Sequence, residues 1–282
     1  MGVNVRVFQC LVEAIDLSVY SYVKPGAVHR FSIYDLDTYK YVRTITSALD
    51  TYLQSITLGE SVAKGVIGFP SAGIGRLVSQ AITSSLSKLG VNVVVELHIT
   101  LIPTVIAASY TLTSEKQLSL NTFRKALTNM LTYSDVNDAL ELYGVLKKLD
   151  KFSKVFEDLG LTEGVIRTNY MNLRGIYQVL GRQFRPLTAL VDKLDIIVGM
   201  SSKFIKVYEE TYDLNLATIL AYIHGLENIY GLSFKIAASK QSNIVNELYR
   251  LDKELRGKGL NFNDMIPILC ASTLLALLTI EK

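Results

Sequence analysis

Residues 91–110 read VNVVVELHITLIPTVIAASY, and the folding of this stretch decides the class of the molecule. Val93-Val94-Val95 taken alone is compatible with a strand. The apolar run continues well past the roughly four to eight residues a strand uses, so a buried helix over about 93–111 is expected. Its length also matches a membrane span, but Glu96 and His98 sit inside it, which favours a core helix. His98 reads there as a hydrogen-bonded core residue. Glu96 is either a buried carboxylate or a group facing a polar cleft.

Helical periodicity extends outward in both directions. Val3–Tyr20 carries Val3, Val7, Phe8, Leu11, Val12 and Ile15 on one stripe. Asp37 or Thr38 can cap a helix running to about Ile56. Residues 59–76, rich in glycine, read as a short helix and a loop before a helix at 76–89 that Gly90 stops. Further helical patterns cover 134–149, 163–181, 186–211, 214–227 and 234–256. A last helix begins near Asp264, with Pro267 in its first turn, where a missing N–H is harmless. Strand–helix alternation is absent and only five prolines occur in 282 residues. With no linker and no repeat, an all-α fold in a single multi-helix domain, 1–282, is expected.

Apolar residues make up 49% of the chain and the net charge is only +3, with no basic stripe, so no nucleic-acid partner is expected. The lysines at 147, 148, 151 and 154 read as a solvated helix face. Cys10 and Cys270 lie inside apolar helical patterns as small core residues, which suits a reducing cytoplasm. No secretory leader is evident, and Met265–Ile280 is short of the ~20 residues of a span, so no membrane partner is expected.

Several motifs fail on inspection. Gly73-Ile74-Gly75 lacks the third glycine of a dinucleotide fingerprint, and Gly68 with Gly73 has Walker spacing but no Lys-Ser/Thr after it. The three histidines are too dispersed for a zinc site. The stretch Ser21-Tyr22-Val23-Lys24-Pro25-Gly26-Ala27-Val28-His29-Arg30-Phe31 survives. Pro25 disfavours helix at Lys24 and Gly26 suits a positive φ, so the chain turns sharply off its first helix. Lys24, His29 and Arg30 then share a short loop, with Asp35 and Asp37 just beyond. Such a loop can offer cations and free N–H groups to phosphate, with acids nearby for Mg²⁺. An ordinary Pro-Gly turn joining two helices is the plain alternative.

The order of residues in this loop resembles the triphosphoribosyl-dephospho-coenzyme A synthase family, whose pattern runs roughly E-x-S-x-x-P-K-P-G-x-V-(D/H)-R. Residues 16–31 here read DLSVYSYVKPGAVHRF, followed by Asp37-Thr38-Tyr39. The family's G-G-N-T-N-L-G segment is similar to Gly90-Val91-Asn92 and onward to Pro103, with Val93, Val94 and Glu96 replacing its Thr, second Asn and closing Gly. LDKELRGKGLN at 251–261 and ASTLLALL at 271–278 are similar to its last two helices. Departures fall on polar positions. The family's N-P-G-T-T-A-D is Asn261-Phe262-Asn263-Asp264-Met265-Ile266-Pro267 here, and Tyr230 stands where its P-D-T segment has the acid.

The resemblance implies an all-helical enzyme that joins the 2′-hydroxyl of 3′-dephospho-coenzyme A to C1′ of ATP and expels adenine. ATP and dephospho-coenzyme A would be its partners and Mg²⁺ its cofactor. It implies substrate-binding roles for Lys24, Pro25, Gly26, His29, Arg30, Asn92, Lys235 and Asn261. Asp35, Asp37 and Asp264 would be catalytic, with Asp35 and Asp37 also binding the metal. The alternative is a catalytically degenerate relative that binds or interacts without transfer.

Overall fold

In the computed structural model, residues 2–31, 38–234 and 241–280 are described, and all regular structure among them is helical. After a 3₁₀ turn at Gly90–Asn92 and two non-helical residues, the 91–110 stretch becomes helix α5, Val95–Glu115, with only its first turn and C-terminal end reaching water. Pro103 lies inside it and removes the N–H that would bond the carbonyl of Ile99. The Tyr177 hydroxyl donates to that carbonyl instead, at 2.6 Å.

Around α5 pack α3 (Leu49–Ala63), α4 (Ile74–Leu89), α6 (Leu120–Tyr133) and α14 (Ile266–Ile280), and α14 lies in turn against α1 (Val3–Tyr20) and α11 (Leu194–Thr211). Helices α5 and Asn263–Ile280 are long and apolar enough to cross a membrane, but 89% and 78% of their most apolar windows are buried inside the protein. Cys10 and Cys270 are both buried thiols. His98 is fully enclosed, with Nδ1 at 3.0 Å from the Tyr52 hydroxyl and Nε2 at 2.7 Å from Ser85 Oγ. Burial drives its pKa down to about 3, as a neutral core imidazole requires.

Several boundaries differ from the periodicity reading, among them the pattern at 186–211, which opens with a separate 3₁₀ segment at Arg185–Leu190 before α11. The helix expected to run to Ile56 is two helices, α2 (Tyr39–Ser47) and α3, because Ser84 Oγ and Lys88 Nζ take the Ser47 carbonyl while the Thr51 N–H turns to Ala48. The glycine-rich stretch begins inside α3, where a side chain at Gly59 would collide with the Ile106 carbonyl of α5. The pattern at 163–181 divides into α9 (Glu163–Thr168) and α10 (Leu173–Gln183), after α7 (Val136–Leu146) and α8 (Asp150–Asp158). The chain closes with α12 (Leu214–Tyr230), α13 (Gln241–Gly257) and α14.

Candidate functional site

The Lys-Pro-Gly loop leaves α1 at Ser21 and turns at Gly26, whose φ is +73°. Apart from the Arg30 side chain, its polar groups point into the protein. Gly26 N–H donates to Asp252 Oδ1 on α13 at 2.8 Å, and the Gly26 carbonyl accepts from Phe262 N–H at 2.8 Å. Val28 N–H donates to Asn263 Oδ1 at 2.7 Å, Arg256 donates to the Ala27 carbonyl at 2.7 Å, and the Tyr222 hydroxyl donates to the Pro25 carbonyl at 2.8 Å. A phosphate approaching this turn would find its N–H groups at Gly26 and Val28 already used.

Lys24 is corrected by the same geometry. It is fully buried, and its ammonium donates to the carbonyls of Val19 and Ser21 and, at 2.9 Å, to Ser21 Oγ. These acceptors belong to the open carbonyl end of α1, a natural seat for a cation. Burial lowers its pKa to about 7. As it stands, the side chain is a cap for α1 and presents nothing to a triphosphate.

His29 is also buried. Its Nδ1 accepts from Phe31 N–H, so the proton sits on Nε2 and is directed at Asp252 Oδ2, 3.5 Å away. Asp252 further accepts from Arg256 Nε at 2.9 Å. Burial pushes the Asp252 carboxyl up, but the donors from His29, Gly26 and Arg256 outweigh it and hold it below the ordinary value. Asp252 and Arg256 were hidden in the 251–261 stretch; their i,i+4 spacing was the signal for an ion pair, with nothing to say that it clamps a loop. Arg30 is exposed and lies over the Tyr22 ring at 5.8 Å.

A second group of polar residues opens outward. A cleft of about 250 Å³ is lined by Lys40 and Tyr41 of α2, the 91–96 entry to α5, Lys151 of α8, and Asn263, Asp264 and Pro267. Asn92, Glu96 and Asp264, read from separate parts of the sequence, therefore meet. Glu96 forms an ion pair with Lys151, whose ammonium lies 4.6 Å from the centroid of the Phe184 ring. The head of α5 opens here too, held by Val94 N–H donating to Thr44 Oγ1 at 3.1 Å.

Asp264 is partly buried. Its Oδ2 accepts from the Tyr230 hydroxyl, whereas Oδ1 is shielded from water with no hydrogen-bond partner. Burial raises its pKa, Glu96 adds to the rise, and Tyr230 and Lys151 act against it. The Tyr230 ring is fixed edge-on against Phe262 at 4.9 Å, with the Arg185 guanidinium 5.9 Å above it.

The remaining expected residues fall outside the cleft. Asn261 is exposed and accepts from Asn263 N–H at 2.9 Å, so Asn263, two positions on, reaches the cleft in its stead. Asp35, Asp37 and Lys235 lie outside the described residues. Lys151 was read as part of a solvated face, yet its helix brings it to Glu96. A run of lysines gives no sign of which one turns inward.

Among the described residues no group of three or more His, Cys, Asp and Glu can hold a metal. In the cleft Glu96 pairs with Lys151, and Asp264 accepts from Tyr230 through Oδ2.

No protein-family model matches the chain, and no curated protein matches it. Among solved structures, it is similar to the crystal structure of a proposed triphosphoribosyl-dephospho-coA synthase from Archaeoglobus fulgidus. The TM-score is 0.54 at 18% identity, covering 85% of this chain and 98% of that one. The two share a fold. At this identity the likeness extends to helix order and packing, and the residues of the cleft must be argued on their own chemistry.

Proposed function

We propose that the chain binds a nucleoside triphosphate in the Asn92–Asp264 cleft and transfers its triphosphoribosyl group to a hydroxyl of a nucleotide acceptor such as 3′-dephospho-coenzyme A, releasing adenine. The observation that carries this reading is the convergence of Asn92, Glu96 and Asp264 with two cations, Lys40 and Lys151, at the open head of α5. Phosphate groups are favoured at a helix N-terminus flanked by lysines. Lys40 and Lys151 would hold the triphosphate, with Lys151 released from Glu96. Asn92 would orient the ribose and Asp264 would accept the hydroxyl proton. The loop at 24–31 then has an indirect role, fixing Asn263 and Phe262 from behind.

The test is release of adenine from ATP in the presence of dephospho-coenzyme A, followed by chromatography, together with the thermal shift each nucleotide produces. Adenine release above the background of heat-treated protein is expected. ATP should raise the melting temperature by an amount that grows with the logarithm of its concentration once this exceeds Kd. A folded sample that shows neither result defeats the proposal.

A second reading, a relative that binds nucleotide without transfer, is favoured by one observation. The loop most similar to the enzyme family has its Lys24 ammonium and its Gly26 and Val28 N–H groups closed off by internal partners. A thermal shift with ATP and no adenine release would select it. Mg²⁺ enters either reading as a companion of the triphosphate. Adding a chelator to the ATP titration shows whether binding depends on it.

A further inference from the structure

We propose that Tyr230 is a positioning residue that fixes Asp264 as the proton acceptor of the cleft. The inference rests on the nucleotide-transfer reading above and assigns its proton chemistry to a pair that lies 34 positions apart in the chain.

Three observations carry it. The Tyr230 hydroxyl reaches the cleft from the last residue of α12 and donates to Asp264 Oδ2, which uses one carboxylate oxygen and orients the plane of the group. The other oxygen, Oδ1, has no partner although it is shielded from water. A shielded carboxylate oxygen without a protein donor is costly, which leaves Oδ1 open to a donor such as a ligand hydroxyl or the water it displaces. The Tyr230 ring itself cannot swing away, being packed against Phe262 and covered by Arg185, and Phe262 is tied by its N–H to Gly26 of the loop. The loop thus acts on the cleft through Phe262 and Tyr230.

The surroundings suit a base. The charged and titratable groups around Asp264 are Glu96 and Lys151 across the cleft, Lys40 on α2, and Tyr222 and Tyr230 on α12, with Arg185 over the latter. Burial and Glu96 make the carboxylate a stronger proton acceptor than a solvated aspartate, and the Tyr230 donor acts the other way by favouring its ionised form. In the transfer, the acceptor O–H bond breaks and its proton passes to Asp264 Oδ1. The freed oxygen pair forms the bond to C1′ of ATP. The C1′–N9 bond breaks, and adenine leaves with that pair and takes up a proton from water, while Asp264 returns its own proton to solvent.

The experiment is ¹³C NMR of the full chain labelled at aspartate carboxyls, with Asp264→Asn assigning the resonance, read in wild type and in Tyr230→Phe. The phenylalanine variant keeps the ring packing and removes only the donor. Its Asp264 titration is expected to move up by about one unit. Addition of 3′-dephospho-coenzyme A with ATP should shift the wild-type Asp264 resonance as a hydroxyl docks on Oδ1. In turnover, Tyr230→Phe should lower kcat about tenfold with the KM for ATP within about twofold, and the acid limb of its pH profile should follow the Asp264 titration. An Asp264 titration indifferent to Tyr230→Phe overturns the proposal. An Asp264 resonance unmoved by nucleotides that do raise the melting temperature overturns it and leaves the binding reading intact. No thermal shift with either nucleotide overturns both.

Discussion

The 24–31 loop and the cleft at the head of α5 are neighbours joined through Asn263, yet they use polar groups in opposite ways. In the loop the buried potential phosphate donors are matched to partners within the fold, Lys24 to the end of α1, Gly26 to Asp252 and Val28 to Asn263, and only the Arg30 guanidinium stays at the surface. In the cleft the charges are matched only in part, with Asp264 Oδ1 unpaired and Lys40 and Lys151 at an open surface. Polar residues whose hydrogen bonds close internally set position, and those left incomplete are available to a ligand. The loop's distinctive sequence is explained by the first role, and the proposed chemistry draws on the second.

Substitutions can break this contrast, and the largest effect is expected at the clamp. Asp252→Ala strips partners from Gly26 N–H, His29 and Arg256 at a buried position, and should cost about 3–5 kcal/mol in denaturant-induced unfolding. A loss under about 1 kcal/mol would mean that the loop is not held in this way. Lys24 comes next, through pH. Its folded pKa of about 7 lies below the ordinary lysine value of 10.5, so between those values the unfolded chain binds the extra proton. Stability from this group therefore rises as pH increases through that window, by on the order of 3 kcal/mol, and its burial cost is present in full below pH 7. Lys24→Met should flatten that rise in melting curves taken from pH 7 to 10.

The cleft should respond in the opposite sense. Lys151→Ala is expected to weaken ATP binding about tenfold, by calorimetry, while changing stability by no more than about 1 kcal/mol, since its ion pair with Glu96 is half exposed. Smallest of all is Arg30→Ala. Its guanidinium lies over Tyr22 at the surface, and both ATP affinity and stability should stay within about 0.5 kcal/mol of wild type. A tenfold loss of ATP binding in Arg30→Ala would return the phosphate site to the loop.

Much of the helical architecture was legible because a 3.6-residue apolar period survives in the sequence whatever the helix packs against. Val3–Tyr20 and the end of α11 at Thr211 were read correctly, and so was the long buried helix after the valines, although Val93 and Val94 stay outside it and the helix begins only at Val95. The breaks were not legible: Ala48 carries no breaker signal, and it interrupts the helix because side chains of α4 capture the Ser47 carbonyl. For the site, Asn92, Glu96 and Asp264 were picked out, but Lys40, Lys151 and Asn263 were not, since nothing in a lysine-bearing helix says which face meets a cleft. Tyr230 was visible as a substitution for an acid. That its hydroxyl finds Asp264 depended on the crossing of α12 with the turn before α14.

By itself, then, the sequence determined the helical class, the enclosure of α5 with His98 as a hydrogen-bonded core residue, and the sharp turn at Pro25-Gly26, because backbone sterics and apolar periodicity act over a few residues. Only the tertiary structure decided that Lys24 faces inward and that Asp252 clamps the loop. It alone brought Asp264, Tyr230, Glu96 and Lys151 together. A side chain's partners across tens to hundreds of positions depend on how helices cross, and a charged residue has the same letter whether it ends in a carbonyl cage or at the mouth of a cleft.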